Sequence, residues 1–249
     1  YCLITNHQSL HKAMLFTDTI KQCAEVAAML WQKGWAERNG GNLVVNITAD
    51  TDENLRHLSP LARAVVLDTR YENIAGMYFY CKASGCRMRD LSRKPMDNGS
   101  IIRITDDCAH YEIIADKPVK PTSELPSHLA MHNWLAAHRP GMKASLHTHP
   151  TELVALSHVA ELCNTASMNE MLWSMIPETR LFCPKGVGFL AYTEPGSAQL
   201  AAGTLRLLEE HNVVLWEKHG AIAVGTDIID AFDTIDILNK AAQIRCAIP

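Results

Sequence analysis

The chain has 249 residues, 47% hydrophobic and 20% charged, with 23 basic against 27 acidic side chains for a net charge of −4. That length and apolar share suit a globular protein with one sizeable core. A mildly acidic balance without long runs of either sign argues against a nucleic-acid or anionic-membrane surface, yet leaves room for a locally positive pocket that takes a small anion.

From Thr17 the apolar positions Ile20, Cys23, Ala27, Leu30 and Trp31 recur at helical spacing, with Thr17 or Asp18 as cap. Asn39-Gly40-Gly41-Asn42 should end this helix, and a strand is expected at 43–48. Residues 49–75 are polar and poorly periodic and read as a peripheral excursion. Strands are expected at 77–81, 100–105 and 109–115, the last two joined by Asp106-Asp107. A helix is expected over 124–138, broken by Pro140-Gly141, then a strand over 143–149 and a helix over 151–162. The remaining pattern predicts a helix near 167–176, short strands at 180–183 and 186–192, and a helix over 197–211. Strands at 213–217 and 221–225 and a final helix from Asp227 follow. Several strands lie too close together for helical crossovers, so the expected fold is one α/β domain, 1–249, with a mixed or largely antiparallel sheet flanked by helices.

No apolar stretch approaches the roughly 20 residues of a membrane span, and the first residues carry no signal-peptide pattern. The eight cysteines contain no C-x-x-C pair. They read as reduced thiols of a cytosolic protein, not as a disulfide set.

The strongest local signal is Ser145-Leu146-His147-Thr148-His149-Pro150. Alternate residues of a strand point the same way, so both imidazoles project from one face at the strand's end, as two ligands of one metal would. A packed and a solvated histidine at a strand terminus is the plain alternative. His219, between the apolar runs 213–216 and 221–224, is the candidate third ligand. A second signal is Pro121-Thr122-Ser123-Glu124-Leu125-Pro126. It is either an ordinary capped helix start or a hydroxyl-rich helix N-terminus that holds phosphate beside a carboxylate base. The third is the pair of glycine-bearing turns at 39–42 and 82–85, which let backbone N–H groups approach an anion or are simply turns.

In this order the pieces resemble the class II aldolase/adducin-type family. The likeness runs from Ala28 to the end of the chain. It rests on 33–43, on Pro121-Thr122-Ser123-Glu124-Leu125-Pro126, on His147-Thr148-His149, and on Leu172-Trp173, 184–188 and His219-Gly220. The tryptophan-bearing run before the Asn39–Asn42 turn, with Thr-Ser-Glu-Leu-Pro, points to a branch that splits a phosphorylated ketose. The resemblance implies a three-layer α/β/α fold, a cytoplasmic homotetramer, and one Zn2+ per subunit on His147, His149 and His219. It implies Glu124 as the catalytic acid/base, and Glu178 as a further acid contributed by a neighbouring subunit. It implies a sugar phosphate as substrate, its phosphate held by Asn39, Asn42, Ser84, Thr122 and Ser123. Ala83 stands where the family usually has glycine, which stiffens that turn and leaves Ser84 in place. Rival expectations are an aldolase for another ketose phosphate, a pentulose-phosphate 4-epimerase, a non-catalytic adducin-like assembly module, or a zinc hydrolase of unrelated fold.

Overall fold

The first element of a computed structural model, which describes residues 17–51, 60, 63–114 and 119–248, is helix α1 (Asp18–Gln32). The Thr17 hydroxyl caps it, accepting from the Ile20 N–H at 3.4 Å, and Ile20, Cys23, Val26, Ala27 and Leu30 form its buried stripe. Strands β1 (Asn42–Asn46), β2 (Val65–Val66) and β3 (Tyr78–Lys82) follow. Two short helices, α2 (Met88–Arg93) and α3 (Pro95–Asn98), lead to β4 (Gly99–Ile104) and β5 (His110–Ile113). Then come α4 (Leu125–His138), β6 (Ala144–Thr148), α5 (Thr151–Leu156), α6 (Thr165–Met175) and α7 (Pro177–Phe182). Strand β7 (Val187–Leu190), α8 (Ala198–Leu208), β8 (Val213–Trp216), β9 (Gly220–Gly225) and α9 (Ile228–Ala247) complete the series.

The strands form one sheet in the order β2-β5-β4-β3-β1-β6-β9-β8-β7. Every pairing is antiparallel except β7 with β8, which are joined through α8. Strand alternation sorts the core into two layers. On β1, Leu43 and Val45 face α1 and α9, while Val44 faces the side covered by α4. On β9, Ala221 and Ala223 face the first side and Ile222 and Val224 the second, where Met131 and Leu135 of α4 and Leu200 and Leu208 of α8 pack. The architecture is the expected three-layer α/β/α arrangement with a mixed, largely antiparallel sheet.

Several local expectations are corrected. The segment expected as a strand over 180–183 is helical up to Phe182, because Pro177 opens α7 with φ already set for a helix and the Thr179 hydroxyl donates back to the carbonyls of Leu172 and Ile176. The helix expected over 151–162 stops at Leu156. There the Ser157 hydroxyl donates to Val154 O at 2.6 Å, and a separate 3-10 turn covers Ala160–Leu162. Helices α2 and α3 carry no clear periodicity, being only a turn or so long, and α2 forms against α1. Of the excursion, 52–59 and 61–62 lie outside the described residues, but Val65–Val66 pairs with β5 and so joins the sheet edge. Among the described residues no helix is long and apolar enough to cross a membrane, and the seven described cysteines are free thiols.

Candidate active site

The three histidines converge at one end of the central strands. His147 sits on β6 directly opposite Asn42 of β1 and Ile222 of β9, and His149 follows two residues on, just past the strand. Its end is tied down by Trp35, whose carbonyl accepts from the Thr148 hydroxyl at 2.7 Å and from the His149 N–H at 3.0 Å. His219 comes from the three-residue turn between Trp216 and Gly220, which pair across β8 and β9. Lys218 in that turn takes a left-handed backbone (φ 59), uncommon for a side-chain-bearing residue. Gly220 must be glycine for a packing reason, since a Cβ there would lie 2.6 Å from Thr148 O, 2.9 Å from the His149 ring and 3.0 Å from the His147 ring.

One ring nitrogen of each histidine lies within 4.8 Å of the others. His147 Nδ1–H donates to Ala221 O at 3.0 Å, and His149 Nδ1–H donates to the Glu37 carboxylate at 2.6 Å, so Nε2 of each is left as a lone-pair donor. His219 Nδ1 is buried and has no hydrogen-bond partner among the described residues. Burial holds His147 well below the usual imidazole range, and the neighbouring His149 and His219 push the same way. His219 is lowered too, by burial first and His149 second. Convergent ring nitrogens, burial that disfavours charge on His147 and His219, and one orphaned nitrogen are what a metal ion requires. The donor set fits one.

The same three side chains form one wall of a cavity of about 150 Å3. The opposite wall comes from three segments: Asn39 and Asn42 of the first turn, Ser84 of the second, and Thr122, Ser123 and Glu124 before α4. All of the nominated anion-binding residues and Glu124 therefore share one cavity with the histidines. Glu178 does not. It is exposed on α7, away from the residues that line the cavity. A more open cleft of about 530 Å3 also reaches His149 and His219, over Val154 and Tyr192. The two glycines of the Asn39–Asn42 turn serve close packing. A Cβ on Gly40 would meet the His149 ring at 3.1 Å, and one on Gly41, at φ 69, would meet His147 O at 3.0 Å.

Behind the cavity runs a fully buried polar chain that sequence reasoning missed. The imidazole of His128 bridges Asn42 Oδ1, through Nε2, and the Ser145 hydroxyl at 2.6 Å through Nδ1. His132 Nε2 in turn reaches that hydroxyl at 3.0 Å and Val44 O at 3.2 Å. Burial lowers His128 to about 3, with His132 contributing, and burial lowers His132 to about 4, so both are neutral. A neutral His128 that donates from Nε2 accepts the Ser145 proton at Nδ1. It also occupies the side-chain oxygen of Asn42, a residue that lines the cavity. Their i, i+4 spacing on α4 is the one signal that could have paired these histidines. Glu37 and the buried Lys82, which also lines the cavity, had no such signal, because their partners lie far off in sequence.

A family profile described as the class II aldolase and adducin N-terminal domain matches residues 21–246. The chain is 52% identical over 228 residues to a rhamnulose-1-phosphate aldolase of Bacteroides thetaiotaomicron, covering 92% of this chain and 85% of that protein. It is 30% identical to the rhamnulose-1-phosphate aldolase of Listeria welshimeri, covering 90% and 81%. Its fold is similar to the crystal structure of a sugar-phosphate aldolase from Thermotoga maritima, with a TM-score of 0.80, 31% identity, and coverage of 92% and 94% of the two chains.

Proposed function

Starting from a chain that belongs to the class II aldolase family and is an aldehyde-lyase, we propose that it is a zinc-dependent enzyme that reversibly cleaves L-rhamnulose 1-phosphate to dihydroxyacetone phosphate and L-lactaldehyde. The observation that carries this reading is the single cavity lined by His147, His149 and His219 together with Asn39, Asn42, Ser84, Thr122, Ser123 and Glu124. The choice of sugar is supported by the 52% identity over most of both chains.

Zinc suits three neutral imidazoles, and when bound it supplies Lewis acidity toward the ketose oxygens on which negative charge develops. The chain's own residues do the rest. Asn39, Asn42, Ser84, Thr122 and Ser123 grip the phosphate and fix the reacting carbons, which is an orientation effect. In cleavage a base takes the C4 hydroxyl proton, the C3–C4 bond breaks to leave the aldehyde, and Glu124 delivers a proton to the dihydroxyacetone phosphate carbon so freed. In the synthetic direction it removes that proton. The cleft over Val154 and Tyr192 is apolar enough for the methyl-bearing aldehyde half.

Glu178 reaches the aldehyde oxygen from a neighbouring copy in a homotetramer. Its exposure on α7, next to Leu181 at 70% and Phe182 at 61% exposed, supports a contact between copies there. We assign the enzyme to the cytoplasm, in keeping with its free thiols.

The test is metal analysis of the purified protein together with release of dihydroxyacetone phosphate from L-rhamnulose 1-phosphate, L-fuculose 1-phosphate and a control for pentulose-phosphate epimerisation. One zinc per chain and a clear preference for the rhamnulose ester are expected. Glu124→Ser should keep the metal and lose most turnover; near-normal rates would remove Glu124 from its role.

A further inference from the structure

Lys82 ends β3 with its side chain buried, only 3% exposed, and its Nζ donates to Asn39 O at 2.8 Å. Its own carbonyl accepts from the Thr122 N–H at 2.8 Å, so one residue joins the three segments that build the anion wall: the 39–42 turn, the 83–85 turn and the 121–124 loop. Among the described residues it is the sole lysine or arginine lining that cavity. Among the described residues it forms no ion pair with a carboxylate, although a buried ammonium is costly to leave without one. Nine-tenths of its surface is removed from water while, among the described residues, two of its three N–H donors have no protein acceptor.

We propose that Lys82 is the charge-bearing residue of the phosphate subsite, pairing its buried ammonium with the phosphate dianion and so setting the preference for a phosphorylated over an unphosphorylated ketose. The inference rests on the aldolase reading for the identity of the substrate but not for the chemistry of the anion site. The hydroxyls and amides of the wall supply directed hydrogen bonds. Lys82 supplies the charge that makes a dianion the favoured occupant. Burial lowers its pKa, with Cys86 and Glu124 opposing, as expected of a cation whose counter-ion arrives with the ligand.

The experiment uses the metal-loaded enzyme and two neutral variants. Lys82→Met removes charge and donor, whereas Lys82→Gln removes the charge and retains an N–H that can donate to Asn39 O. Inorganic phosphate is titrated into each protein without turnover, and kcat and KM are measured with the ketose phosphate and with the free ketose. Loss of a charge-assisted contact in a buried site predicts kcat/KM for the phosphorylated ketose falling about 100-fold in both variants. Phosphate binding should weaken alongside, and the free ketose should change little. If Lys82→Met does not fold, Lys82→Gln alone decides the matter.

Three results would overturn the proposal: equal phosphate binding in all the folded proteins, equal losses on both ketoses, or trapping of a substrate adduct on Lys82 by borohydride, which would make it a nucleophile. A wild-type protein that binds phosphate through Lys82 but cleaves no ketose phosphate would sink the aldolase reading and leave this inference standing.

Discussion

Lowering the pH from 7.5 to 5.0 should destabilise this protein through the buried pair behind Asn42. His128 and His132 are both fully buried and have pKa values near 3 and 4, against 6.5 for a free imidazole. At pH 5 the unfolded chain therefore binds a proton on each ring that the native state refuses. The native state loses ground as pH falls through 6.5, and goes on losing it until the folded values are reached. At 1.36 kcal/mol per pH unit, each ring costs about 2 kcal/mol at pH 5, about 4 kcal/mol for the pair. Against a typical total of about 5–15 kcal/mol this is a large share.

The assay is urea unfolding of the metal-free wild type and of His128→Gln at both pH values, comparing the two acid-induced losses. Contributions from the metal histidines are common to both proteins and cancel in that difference. The variant should lose about 2 kcal/mol less than the wild type on acidification. An acid loss equal to that of the wild type would refute the assignment of His128 as a neutral, buried hydrogen-bond relay.

Removing the carboxylate that orients His149 through its 2.6 Å hydrogen bond, by Glu37→Ala, should weaken metal affinity about 10- to 100-fold in a chelator competition. Glu37→Gln should recover part of the loss. Gly220→Ala places a methyl group 2.6 Å from Thr148 O and against two of the metal histidines. It should cost about 1–3 kcal/mol in urea unfolding and reduce bound metal at a fixed free-metal concentration. Stripping metal with a chelator should lower the melting temperature of the wild type, because the ion binds the native cluster in preference to the unfolded chain, and zinc should restore it. The same treatment should leave the melting temperature of a His147→Ala/His149→Ala variant unmoved.

Much of the candidate site was legible because it is carried by short-range rules. His147 and His149 are two apart, so a strand sends them to one face, and the structure has them on and just past β6. Thr122, Ser123 and Glu124 were legible as the start of a helix, and Glu124 is the residue that leads into α4. The glycine turn at 39–42 was rightly placed, and the structure adds a packing requirement to its reading as an anion-friendly turn. Its glycines are needed because histidine atoms occupy the space of their side chains. The segment 180–183 misled because six residues of a short helix carry too little periodicity to outweigh the apolar run Leu181-Phe182-Cys183.

By itself, then, the amino-acid sequence determined the alternation of apolar residues that sorts the two layers, the capped helix starts, and the candidate metal and anion-binding residues. Only the tertiary structure decided which of them meet. The antiparallel pairing of β6 between β1 and β9 brings His147 beside Asn42, and the β8–β9 turn delivers His219 from 72 residues away. The partners that finish the site were decided in the same way: Glu37 on His149, His128 on Asn42, and the buried Lys82 on Asn39. Each is a contact between groups far apart in the chain, set by strand register and burial. Neither leaves a trace in local residue order, because hydrogen bonding and desolvation act through space.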